Sequence, residues 1–82
     1  MTVADLVTGA LYSVTDAGGA GKVLRLSGWE SDCGYPVALF QDEEWKASGM
    51  GLKLMPANDG GWINTKDGSR GWCVEPASGG DA

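Results

Sequence analysis

The side chains able to do chemistry are few, and their spacing suits contact better than catalysis. Histidine is absent from the 82 residues. Ser–His and Cys–His nucleophile pairs, which need an imidazole to accept the proton, are therefore excluded. Asp42, Glu43 and Glu44 are consecutive acids. Catalysis by paired carboxylates needs one acid held neutral in an apolar pocket and another kept ionised. Three neighbouring acids in a loop face water instead and serve best to steer a charged partner. Cys33 and Cys73 are the only thiols. Without histidine they cannot complete a four-ligand zinc site. A reactive thiol also needs a nearby cation, and Arg70, three residues before Cys73, falls on the other face of a strand. No catalytic residue, metal or cofactor is expected.

The segment Gly18-Gly19-Ala20-Gly21-Lys22 has the composition of a phosphate-binding loop but not its pattern. Asp16 stands at the first glycine position, Val23 replaces the metal-binding hydroxyl, and no helical pattern follows to lend its positive end. A hairpin loop is the simpler expectation.

The tryptophans are the most informative residues. Four in so short a chain (Trp29, Trp45, Trp62 and Trp72) are more than a small core readily hides. Trp72 shares a face with Val74 and is assigned to the core. Trp62 and Ile63 alternate, so Trp62 is expected outside if Ile63 is inside. Trp45 lies among the acids. The candidate partner-binding set is Trp45, Trp62 and Tyr35 (or Tyr12), rimmed by Asp42, Glu43, Glu44 and Asp59, because exposed aromatics supply affinity and acids steer encounter. The simpler reading has the tryptophans capping the open ends of a barrel.

The elements that position these residues read as strands. Fourteen glycines oppose long helices. The best helical candidate, Asp42 to Ser48, is about two turns and ends at Gly49, so it reads as an acidic loop. Leu6 to Val14 is strand-like, with Gly9 as a bulge candidate. Lys22 to Trp29 alternates so that Leu24 and Leu26 point inward. Tyr35 to Gln41, Gly51 to Met55, Trp62 to Thr65 and Gly71 to Glu75 follow, separated by Glu30–Gly34, Asn58–Gly61 and the Asp-Gly turn at Lys66–Ser69. Pro76 ends the last strand. One all-β domain over residues 1–77 with a flexible tail at 78–82 is expected: five to seven short antiparallel strands, closed because closure removes exposed edges.

Residues 37–77 resemble a small Src-homology-3-like barrel of the bacterial type. Ala38-Leu39-Phe40 is similar to that family's Ala-Leu-aromatic opening, and Asp42-Glu43-Glu44 stands where its acidic loop would. Gly61-Trp62-Ile63-Asn64 and Asp67-Gly68-Ser69-Arg70-Gly71-Trp72-Cys73-Val74 resemble its late Gly-Trp hairpin. The resemblance implies an SH3-like fold with an extra N-terminal hairpin from residues 1–36. Glu75-Pro76-Ala77-Ser78 lacks the family's closing tyrosine, so its proline-peptide groove does not carry over.

Composition narrows the partner. Six basic residues against eleven acids give a net charge of −5. Nucleic acid and acidic membranes are repelled on average, which leaves a protein or peptide, especially a basic one. No signal peptide or transmembrane stretch is read, so a cytoplasmic location is expected. There, free thiols are the expectation, although a bridge closing so long a loop would contribute about 4 kcal/mol in the chain-entropy model. A non-enzymatic protein-binding module is the first expectation. The second is a structural or assembly subunit, homo-oligomeric or a host-takeover protein of a phage or mobile element, including a mimic of DNA charge.

Overall fold

The computed structural model describes residues 6–77. Six antiparallel strands form one sheet in the order β5-β4-β3-β2-β1-β6: β1 (Leu11–Thr15), β2 (Gly21–Asp32), β3 (Tyr35–Gln41), β4 (Leu52–Pro56), β5 (Trp62–Asn64) and β6 (Cys73–Pro76). A short helix, α1 (Glu43–Ser48), joins β3 to β4. The expected tail at 78–82 lies outside the described residues.

The long strand β2 is the spine. Its first part pairs with β1 from Gly21 to Arg25, and its second with β3 from Arg25 to Asp32. Two bulges bend the sheet where these parts meet. On the β1 side, Gly9 donates to the Leu26 carbonyl while the Leu26 amide donates to Ala10, so two residues oppose one. Gly9 has φ +94°, a left-handed conformation that glycine tolerates, as this bulge type requires. On the β3 side, the register skips Ser27 between Leu26 and Gly28. The bulges help to wrap one face inward.

That face carries the core. Tyr12, Val14, Leu24, Leu26, Ala38, Phe40, Leu54, Trp62 and Val74 are buried in one cluster. Leu24 and Leu26 point inward as their alternation requires, at 1% and 0% exposure. Tyr12 packs edge-on against Phe40, and its hydroxyl accepts from the Val7 amide, which satisfies the polar end of a buried ring.

The sheet does not close into a barrel. Among the described residues, edge strands β5 and β6 meet only at an isolated bridge between Trp62 and Trp72. The expected Asp-Gly hairpin is replaced by a wider turn. Gly68 donates to the Asn64 carbonyl, the Asn64 side chain accepts from the Lys66 amide, and the Asp67 carboxylate accepts from Ser69. These local bonds satisfy the turn without a tight two-residue connection, so the ladder stops at a single bridge.

The expected acidic loop is α1. Asp42 accepts at 2.7 Å from the Trp45 amide as an N-cap, and the first-turn acids Glu43 and Glu44 suit the positive helix end. At the other end Gly49 takes φ +74°, while Gly49 and Met50 donate to Lys46 and Trp45. This double closure satisfies carbonyls that would otherwise be orphaned. Capping and Trp45 packing hold a helix too short to persist alone.

Candidate functional site

The expected aromatic patch does not assemble. Trp62 is 2% exposed and belongs to the core, which corrects the expectation that it faces solvent. Strand parity explains the correction. Trp62 pairs with Pro56, and Asn64 pairs with the buried Leu54, so both point inward and Ile63 points out. Burying the larger indole removes more apolar area from water, while Asn64 is satisfied by the following turn. Trp29 packs on Trp62 with ring centroids 6.5 Å apart. Trp72 lies half-buried against the same cluster, and its indole N–H donates to the Ser69 hydroxyl.

The other expected contact residues fall at two ends of the sheet. Tyr35 is 63% exposed and begins β3 at the β2–β3 turn. Asp59 is exposed in the β4–β5 turn, where its carboxylate accepts from the Gly61 amide. Asp42, Glu43, Glu44 and Trp45 belong to α1 and its cap, at the opposite end.

At the α1 end, three residues form a clasp. The Lys22 ammonium meets the Asp42 carboxylate at 2.7 Å and lies 4.4 Å from the centroid of the Trp45 ring. Asp42 thus uses one oxygen on Lys22 and the other on the Trp45 amide. The Lys22 hydrogen bond, then the Trp45 amide, hold the Asp42 carboxyl below its ordinary value. Half-buried Trp45 packs against the core beneath the ammonium. Trp45 therefore acts partly as a cap on this end of the sheet.

Beside the clasp lies a groove of about 410 Å³. Leu11, Val23 and Arg25 contribute from the outer face of β1 and β2, Thr8 and Gly9 from the preceding turn, and Glu43 and Lys46 from α1. Ser27 and Gln41 also line it and bond each other, and Gln41 donates onward to the Met50 carbonyl. The Arg25 guanidinium donates to the Gly9 carbonyl. Five large hydrophobic side chains are exposed among the described residues: Val7, Leu11, Val23, Tyr35 and Met50. Of these, Leu11 and Val23 line the groove, while Tyr35 lies at the other end of the sheet.

Sequence reasoning missed this groove. Its only sequence signal was Val23 and Leu11 on the outward parity of strands whose inward residues were already apolar.

The Gly-rich loop also has a definite geometry. The Asp16 carboxylate accepts from the amides of Gly18 and Ala20, so two amides that a phosphate would need are already occupied. Both thiols are free and exposed. Cys73 pairs with Thr15 near the start of β2, whereas Cys33 follows its end. Among the described residues no three metal-ligating side chains gather, and no helix is long and apolar enough to cross a membrane. No known family model, curated protein or solved structure matches this chain.

Proposed function

We propose that this chain is a non-enzymatic protein-binding module and that the groove between α1 and the outer face of β1–β2 is its contact surface. The observation that supports this reading is that two exposed aliphatic side chains, Leu11 and Val23, lie together on the outer face of β1–β2 in one concavity whose lining also holds Arg25, Asp42, Glu43 and Lys46. Exposed apolar side chains scattered singly need no explanation, whereas a contiguous set rimmed by charge marks an interaction surface. On this reading the SH3-like element is a scaffold: a strongly bent small sheet presents the groove on a rigid face. Leu11 and Val23 supply the apolar contact, and Glu43 and Glu44 orient the partner.

Photo-crosslinking tests the surface directly. A photoreactive residue at position 23 should trap a protein partner, and one at position 35 should not. Equal yields at both positions, or trapping at position 35 alone, would move the contact surface away from the groove.

A further inference from the structure

The partner that the groove fits can be read from its charges. The lining holds two cations, Arg25 and Lys46, and two acids, Asp42 and Glu43. Asp42 is taken by Lys22. Among the described residues Glu43 and Lys46 belong to neither of the two salt bridges, Lys22–Asp42 and Lys53–Glu30. A purely basic partner would meet Arg25 and Lys46, and a purely acidic one would meet Glu43. A surface carrying both signs around an aliphatic centre fits all of them.

This chain itself has such a surface. Glu43 and Lys46 are three residues apart on α1 and both line the groove, so they share one face of the helix. A two-fold axis perpendicular to α1 and running on across the Leu11–Val23 patch would set two copies of the helix antiparallel. Glu43 of each copy would then face Lys46 of the other, with the patch opposite its own copy. An isologous contact requires such self-complementarity, because each residue must serve on both sides of the axis.

We propose that the groove is the two-fold interface of a homodimer, with Leu11 and Val23 at its centre and reciprocal Glu43–Lys46 pairs at its rim. This inference rests on the groove being the contact surface and goes further by naming a second copy as the occupant. It also accommodates the net charge of −5, because the reciprocal pairs place cations opposite acids where two acidic molecules meet.

The test uses three variants of the whole chain, each checked for a native circular dichroism spectrum and measured by sedimentation equilibrium across the micromolar to millimolar range. Wild type should dimerise, and Val23→Asp should be monomeric. Glu43→Lys and Lys46→Glu should each weaken self-association by roughly tenfold or more, since like charges then face each other across the axis. Mixing those two single variants should restore the dimer, as an all-basic helix face meets an all-acidic one. The mixture separates contact between copies from any effect within one helix, because each chain keeps its own like-charged pair. A wild type that stays monomeric throughout overturns the second copy as occupant while crosslinking at position 23 still decides the groove. A wild-type dimer that Val23→Asp leaves intact overturns the groove as its interface. A dimer that survives both charge reversals overturns the α1-paired arrangement.

Discussion

Trp62 and Trp72 bond each other through both of their backbone amides, at 3.0 and 3.2 Å, and so join the two edge strands of an otherwise open sheet. The Trp62 indole is buried against Trp29 and the core. Trp62→Ala should therefore destabilise the fold by about 3–5 kcal/mol, the scale for emptying a buried aromatic site. Urea denaturation measures this. A loss below about 1 kcal/mol would contradict the burial.

Two glycines in β2 should respond oppositely to alanine. A Cβ at Gly21 would lie 2.7 Å from the Thr15 Cα and would also strike the Val14 carbonyl oxygen, so backbone must move. Gly28 has nothing within 4 Å of its Cβ position and carries no positive φ. Gly21→Ala should lower stability by about 1–3 kcal/mol. Gly28→Ala should be neutral or stabilising by up to about 1 kcal/mol, through the restricted unfolded chain. Thermal unfolding of both variants checks the contrast.

The β2–β3 turn places Cys33 at φ +53° followed by Gly34 at φ +86°. Asp32 and Tyr35 pair on either side, so the turn has two left-handed central residues. Asparagine tolerates that conformation and a β-branched side chain does not. Cys33→Asn should raise the melting temperature and Cys33→Val should lower it. The reverse order would show that the backbone there is not left-handed.

Acid should loosen the clasp and the β5–β6 turn together. Lys22, then the Trp45 amide, hold the Asp42 carboxyl below 3.8, and the Ser69 hydroxyl, then its amide, do the same for Asp67. Because both folded-state values lie below the unfolded ones, this stability is fully present above pH 3.8 and is lost as pH falls through the folded values. Asp42→Asn and Asp67→Asn should each flatten the dependence of the urea midpoint on pH in that acid range. An unchanged slope in both variants would remove these carboxylates from the acid response.

Much of the strand pattern was legible because it rests on local rules. Tyr35 to Gln41 forms β3 with the boundaries read from sequence, Leu24 and Leu26 point inward, and Gly9 sits in a bulge. What failed depends on partners distant in sequence. Alternation separates Trp62 from Ile63 but does not say which is inside; pairing with Pro56 on β4 decides it. The two-turn helix was too short to register as a period, although both of its caps, Asp42 and Gly49, were visible as residue types. The groove combines residues from the Thr8–Gly9 turn, two strands and α1, so no window of sequence contains it.

The neighbour of β1 on its outer side is β6, the last strand in chain order among the described residues. Val14 reaches its cross-strand partner Val74 only after every other strand has been synthesised. During translation the inner face of β1 and β2 must therefore wait with its final edge uncovered. Pairings of such long sequence separation slow folding, because the chain loses loop entropy before the contact forms. A released chain ending before residue 73 would keep five strands with β1 as an exposed edge, and it should be prone to recruit a strand from a neighbour.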